Sequence, residues 1–277
     1  MRYSIFALAS LLSLAAPLAA QQKDHVSMKI DVVAWGNEIK GLSFKSGSSK
    51  SVITALSFRY STPVTYSGPL VMEIYQSDNT ATASIPAVKY PAEGRIIPQK
   101  PFGTGDKDDA AASSSPKQGL ALELEKRRQK DPSLVALAVL PGNGCRRATV
   151  LLAPAQTGTF TTYVIDDDPS KLPVGQLRIH NLSPFLLAMR CNGNPARQLK
   201  SREAMLVPAI REHLIYELAY KLDDEWNVQE NNTIPVRPTE QMQMIILKSE
   251  NSFFLASDGS RSGFLQIITL RRSPDAL

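Results

Sequence analysis

The chain has 277 residues, enough for one large domain or two ordinary ones, and 43% of its residues are hydrophobic. Its formal net charge of +5 comes from 31 basic and 26 acidic residues, spread thinly and without the basic stripe that follows a phosphate backbone. Composition and charge therefore argue against a nucleic-acid-binding protein, and we expect no nucleic acid among its partners.

Residues 1–20 have the features of a cleavable secretory signal peptide. Arg2 supplies one positive charge, an apolar run covers residues 5–16, and Ala19 and Ala20 provide small residues for cleavage. The run is shorter than the roughly 20 residues that cross a bilayer. We therefore expect export to the periplasm or the extracellular medium, without a transmembrane segment in the mature chain.

Strand patterns dominate residues 26–76. The segment 52–60 is rich in β-branched and aromatic side chains, and apolar and polar residues alternate from Leu56 onward. Turn residues such as Ser67-Gly68-Pro69 recur at short intervals, which is typical of a sandwich or barrel. We predict a mostly β protein whose first Ig-like β-sandwich covers residues 26–168.

Residues 91–132 interrupt this sandwich with prolines, glycines, charges and small side chains. Such a segment buries too little apolar surface to offset the cost of ordering it. It predicts a disordered insertion that ends in one short helix, from about Gly119 to Gln129. Ser114 and Lys117 match an S-x-x-K motif by letters only, since the motif requires an ordered helix.

A second Ig-like β-sandwich is predicted over residues 174–272. It follows a split near residues 168–173 and is supported by further strand-like segments, at residues 176–182, 186–190, 205–207, 214–222, 242–247, 253–255 and 264–270. One larger sandwich with an insertion is the competing interpretation, and the sequence leaves both open.

The segment 173–184, a strand followed by a turn, has a recognisable pattern. Together with Asn192-Gly193 and residues 206–208, it resembles uncharacterised exported β-sandwich proteins of Gram-negative bacteria. The resemblance covers about 40 residues. It implies a β-sandwich fold and an exported location, and it brings no activity or site residue with it.

Cysteines and histidines are the candidates for disulfide, metal and catalytic roles. Cys145 and Cys191 are a candidate disulfide in an oxidising compartment, with two separate buried thiols as the alternative. His25, His180 and His213 lie far apart, without the i, i+4 spacing of a metal-binding helix. We predict no metal site and no cofactor.

Two acidic clusters are candidates for carboxylate chemistry. Three consecutive aspartates, residues 166–168, cannot all reach one calcium ion from a strand end, so a solvated turn is the favoured interpretation. Asp223-Asp224-Glu225 is predicted to be a hairpin turn. A glycosidase would place two carboxylates across a cleft, and Asp167 and Asp224 are the candidates for that role.

Trp35 and Trp226 are the only tryptophans, and each precedes a turn-forming residue. They are candidate ligand-binding residues because an exposed indole near a strand end can stack on a sugar ring; packing in the core or at a sheet edge is the alternative. The sequence contains no convincing catalytic constellation.

The function predicted from these observations is that of an exported, non-enzymatic binding or scaffolding protein of the bacterial cell envelope, with an envelope protein as its partner. Two tandem sandwiches also fit a chaperone that lends a strand edge. The alternative is a secreted glycan-active hydrolase or a carbohydrate-binding module.

Overall fold

The computed structural model describes five stretches of the chain: residues 25–77, 116–142, 144–155, 158–248 and 265–272. Three predictions lie outside them: the signal peptide, most of the insertion with Ser114, and the strand at 253–255. Within the described stretches, no helix combines the length and apolar character needed to cross a membrane.

The described chain is mostly β-structure, as predicted. Its helical elements are α1 (Pro116–Arg128) and a 3-10 turn (Pro169–Lys171). Its strands are β1 (His25–Ala34), β2 (Ile39–Ser46), β3 (Ser49–Ser57), β4 (Val64–Pro69), β5 (Val71–Gln76), β6 (Leu134–Val139), β7 (Arg147–Pro154), β8 (Phe160–Asp166), β9 (Gln176–Asn181), β10 (Leu187–Cys191), β11 (Arg197–Leu199), β12 (Ala204–Pro208), β13 (His213–Leu222), β14 (Glu225–Pro235), β15 (Gln241–Lys248) and β16 (Leu265–Arg272).

Strands β1–β8, here called the first unit, form one eight-stranded sheet. Its order is β6-β5-β2-β3-β1-β7-β8, and β4 pairs with the first part of β1. β1 runs parallel to β3 and β7, and the other pairs are antiparallel. The sheet's two ends meet where the Thr162 hydroxyl of β8 donates to the Leu137 carbonyl of β6 at 2.7 Å. The sheet is therefore nearly barrel-like.

One strand of this sheet lies where the sequence predicted only a turn. Ser67, Gly68 and Pro69 end β4 and pair with residues 25–27 of β1. The buried Tyr66 side chain folds back over Gly68, and its hydroxyl donates to the Pro69 carbonyl at 2.7 Å. A Cβ atom at Gly68 would lie only 2.8 Å from that hydroxyl, so the missing side chain makes room for the ring.

The strand β7 and the second half of β1, from Ile30 to Ala34, are buried on both faces. Ile30, Val32 and Val150 belong to the first unit's own core, whereas Val33 and Leu151 point into a different apolar cluster. Since neither face meets solvent there, these segments carry nearly continuous apolar runs, whereas the first half of β1 alternates between exposed polar and buried apolar residues.

Strands β9–β16, here called the second unit, form two four-stranded sheets, ordered β11-β10-β13-β14 and β12-β9-β15-β16. Both sheets contribute to one core: Leu187 and Leu218 come from the first, Ile179 and Met244 from the second. Among the described strands, no ladder joins the first unit to the second.

The two units contact each other through a separate apolar cluster, here called the interface core. Val33, Trp35 and Leu151 of the first unit pack there with Ile245 and Leu270 of the second. Each unit thus contributes the sheet face opposite its own core, because side chains alternate along a strand.

The helix predicted from about Gly119 to Gln129 is confirmed as α1. Leu124 packs against Leu134 and Leu137 of β6. Arg127 donates to Glu123 one turn earlier at 2.7 Å and to Glu73 of β5 at 2.6 Å. These contacts fix the helix against the β5–β6 end of the sheet.

Candidate functional site

The largely exposed strand β14 forms a tight hairpin with β13. Leu222 pairs with Glu225, so Asp223 and Asp224 alone form the loop. Their φ angles are 48° and 66°, as a type I′ turn requires, and aspartate tolerates this conformation better than most residues. The hairpin turn predicted at residues 223–225 is confirmed.

β14 is also the outer strand of its sheet, and no described strand pairs with its second edge. It is 11 residues long and carries two exposed apolar side chains, Trp226 at 44% and Val228 at 78% exposure. Such an edge presents backbone N–H and C=O groups to which another extended segment can add. We refer to residues 225–235 as the β14 edge.

Negative charge collects at this edge, although the whole chain is positive. Lys221 forms an ion pair with Asp224 at 2.7 Å. Asp223, Glu225 and Glu230 form no ion pair with any described residue, and Glu230 accepts a hydrogen bond from the Tyr216 hydroxyl. The β14 edge therefore combines an apolar contact surface with uncompensated carboxylates.

Sequence reasoning missed β14. Its asparagines, glutamine and glutamates hide the strand, since only Trp226, Val228 and Ile234 are apolar. The detectable signal is the predicted turn itself, because a two-residue turn after β13 requires a returning strand.

The two tryptophans have different environments. Trp35 is only 9% exposed and packs edge-on against Phe58, at 5.7 Å between ring centroids, in the interface core. Its predicted role in ligand binding is therefore corrected, because a ring enclosed between two units cannot stack on a sugar. Trp226 remains accessible on the β14 edge.

Two arginines and two aspartates form a buried network between the units. Arg147 of β7 binds Asp31 of β1 through Nε at 2.7 Å and Nη2 at 3.2 Å. Arg272 of β16 reaches across from the second unit, to Asp31 at 2.9 Å and to Asp167 at 2.7 Å. All four side chains are buried, and their formal charges balance.

Neutral side chains add hydrogen bonds to this network. Thr149 donates to Asp167 at 2.8 Å, and Gln243 of the second unit donates to it at 2.6 Å. The Arg272 guanidinium lies 4.1 Å from the Tyr60 ring centroid, within cation–π range. Burial raises the pKa of Asp167, against the opposing effect of Arg272.

The three consecutive aspartates point to three different partners. Asp166 pairs with Lys171, and Asp167 joins the buried network. Asp168 accepts hydrogen bonds from the Arg146 side chain and backbone and from Ser170, and these hold its pKa well below the usual range. The solvated-turn interpretation is wrong for Asp167 and Asp168, which are buried.

Divergent aspartates do not make a calcium site. Across the described stretches, no group of three or more His, Cys, Asp or Glu side chains is placed to hold a metal ion. The suggested glycosidase pair is also not assembled: Asp167 is sealed at the interface, whereas Asp224 lies in the exposed hairpin turn.

The candidate disulfide between Cys145 and Cys191 is not formed. Both thiols are free and buried, Cys145 in the first unit's core and Cys191 in the second unit's core. Placement in separate cores explains this correction, and burial raises the pKa of each thiol to about 11.

The three histidines remain apart. His25 and His213 are exposed at the starts of β1 and β13, while His180 is buried on β9. Burial and the neighbouring Arg178 charge lower the pKa of His180 to about 3. Its imidazole is therefore neutral at physiological pH.

No family model and no curated protein sequence matches this chain.

Proposed function

We propose that this chain is an exported, non-enzymatic binding or scaffolding protein of the bacterial cell envelope, and that it binds an extended segment of a partner protein along the β14 edge. One observation carries the proposal: an 11-residue edge strand leaves one side unpaired among the described strands while exposing Trp226 and Val228.

Strand addition explains why these features occur together. Backbone hydrogen bonds to an added strand supply affinity without a deep pocket, and flanking side chains supply selectivity. The uncompensated Asp223, Glu225 and Glu230 favour a segment that carries Lys or Arg, because opposite charges guide encounter and fix register.

Export and domain organisation remain part of this proposal. Export rests on the charge, apolar run and small residues within residues 1–20. Two tandem units divided near residues 168–173 are supported by the separate strand ladders. For the second unit, two sheets around one core favour the Ig-like sandwich. For the first unit, the sandwich is still a prediction, because its strands form one sheet that nearly closes into a barrel.

Site-specific photocrosslinking in cells tests the proposal. A photoreactive benzoylphenylalanine replaces Val228 in the tagged full-length chain, and the same group at Val52 is the control. Val52 is also an exposed valine, at 69%, but it lies on β3 of the first unit and not on the β14 edge. We expect an adduct with one envelope protein at position 228 only.

The chemistry of the adduct then decides the outcome. The crosslinked peptide should be extended and basic, and its synthetic form should bind the wild-type chain more weakly as salt is raised. Glu225→Gln with Glu230→Gln should weaken that binding, whereas Glu38→Gln in the first unit should not. Equal adducts at both positions, a self-adduct or an acidic peptide would contradict the proposal.

The fluorescence of Trp226 distinguishes the carbohydrate-binding alternative from strand addition. Sugar stacking predicts that soluble glycans shift the fluorescence of the wild-type chain and that Trp226→Phe removes the shift. Under strand addition, the basic peptide changes Trp226 fluorescence and glycans do not.

A further inference from the structure

A cleft of about 320 Å³ opens between the two units and shares no lining residue with the β14 edge. Its volume falls at the small end of ligand pockets, which also concentrate at domain interfaces. Both units contribute to its walls, which include Tyr163, Val164 and Asp166 from the first and Arg178, His180 and Arg202 from the second.

Two arginines in this cleft lack a neutralising carboxylate. Neither Arg178 nor Arg202 forms an ion pair in the described part of the chain, and the nearby Asp166 carboxylate is already paired with Lys171. Arg178 donates from Nη1 to the Asp166 backbone carbonyl at 2.9 Å. This bond holds the Arg178 guanidinium against the first unit. Because the acceptor is a neutral carbonyl, the bond does not neutralise the charge of the guanidinium.

His180 adds a neutral polar group to the same wall. The side chain is buried, and its Nε2 atom has no well-aligned hydrogen bond within the described residues. Burial and the Arg178 charge lower the pKa of His180 to about 3, although the Gln243 side chain acts in the opposite direction and raises it. A neutral imidazole can exchange one hydrogen bond with a ligand without adding charge.

Apolar side chains cover the remaining walls. Val139 and Val164 contribute from the first unit, and Leu182 contributes from the second. A fully hydrated inorganic ion would leave these surfaces wet, whereas an organic ligand would cover them. The cleft thus offers charge at one part and an apolar surface at another.

We propose that this cleft binds a small organic anion, whose carboxylate or phosphate monoester group is held by Arg178 and Arg202 while its apolar body lies against Val164 and Leu182. The planar guanidinium matches both oxyanions through paired N–H donors. The site is independent of the β14 edge, so either proposal can fail without the other.

Calorimetric titration of the full-length chain at low ionic strength tests this proposal. The probes are phenyl phosphate and benzoate, with benzyl alcohol as the neutral counterpart. We expect saturable binding of at least one anion and none of the alcohol. Arg178→Met and Arg202→Met should each weaken binding by about tenfold or more.

Arg211→Met is the matched control. Arg202 and Arg211 are both exposed arginines with positive φ, 68° and 50°, but Arg211 does not line the cleft. Circular dichroism checks that Arg178→Met remains folded. If Arg178→Met does not fold, Arg202→Met still tests the proposal, because Arg202 is exposed.

The outcomes are distinct. Tighter binding of benzoate supports a carboxylate ligand, and tighter binding of phenyl phosphate supports a phosphate monoester. The proposal is overturned if neither anion saturates, if benzyl alcohol binds equally, if inorganic phosphate binds as tightly as phenyl phosphate, or if Arg211→Met loses as much affinity as Arg202→Met.

Discussion

Asp31 and Arg272 are separated by 241 positions in the sequence, yet their side chains meet at 2.9 Å in a buried contact. Asp31 lies on the first strand of the first unit and Arg272 on the last strand of the second. This contact joins the first and last strands of the described chain. Because charged groups must meet their partners, it also fixes the orientation of one unit relative to the other.

Replacing Arg272 with methionine should destabilise the protein by about 3–5 kcal/mol, because it leaves buried carboxylates without their shared cation. The neighbouring Arg271→Met is the control. Arg271 is partly exposed and pairs with Glu240 at 3.1 Å, so its loss should cost about 1 kcal/mol or less. Urea unfolding measures both, and equal losses would show that the network contributes no more than a surface ion pair.

Gly68→Ala should destabilise the first unit by about 1–3 kcal/mol, the usual cost of overpacking. The new methyl group would lie 2.8 Å from the hydroxyl and 2.9 Å from Cζ of Tyr66, whose buried ring has no room to withdraw. Gly142→Ala is the control, since nothing lies within 4 Å of a Cβ atom there. Thermal unfolding measures the Tm of both variants. An equal decrease in Tm in the two variants would contradict the crowding at Tyr66.

Asp168 should contribute stability that depends on pH. The Arg146 side chain and the Ser170 hydrogen bonds lower its folded pKa below the ordinary 3.8. Its contribution is therefore present above about pH 4 and is lost as the pH falls through the folded pKa. We expect Asp168→Asn to be less stable than wild type at neutral pH.

The stability gap between Asp168→Asn and wild type should narrow as the pH falls below about 4. Urea unfolding across this range measures it, with Asp223→Asn in the exposed turn as the control. A gap that stays constant with pH would show that the asparagine acts through packing and not through charge.

Cys145 and Cys191 should resist alkylation in the folded protein. Both are buried, with pKa values raised to about 11, so few thiolates form at neutral pH. Unfolding without a reducing agent should expose two reactive thiols, counted by mass spectrometry. If alkylation after unfolding requires a reducing agent, the chain contains a disulfide.

Local patterns were sufficient for many elements. The strand-like segment at residues 242–247 predicted β15, and the segment from Gly119 to Gln129 predicted α1, because each pattern reflects contacts within a few residues. β14 escaped prediction for the same reason. Its polar side chains are tolerated at a sheet edge, where only one side is packed, so its sequence lacks the apolar signature of a strand.

The candidate sites were harder to predict than the strands. Trp35 and Trp226 have similar local sequences, a tryptophan before glycine or asparagine, but one is enclosed by the second unit and the other is exposed. Arg178 and Arg202 are ordinary arginines in the sequence. Only the approach of the first unit encloses both of them in one cleft.

The sequence by itself determined that this protein is mostly β, where most of its strands and its helix lie, and where the β13–β14 chain turns. Those features depend on alternation, turn chemistry and local apolar runs. Tertiary structure decided which cysteines stay apart, which aspartates become buried and which tryptophan remains accessible. These outcomes depend on contacts between residues as distant as Asp31 and Arg272, and no local pattern specifies the partner that a side chain meets across an interface.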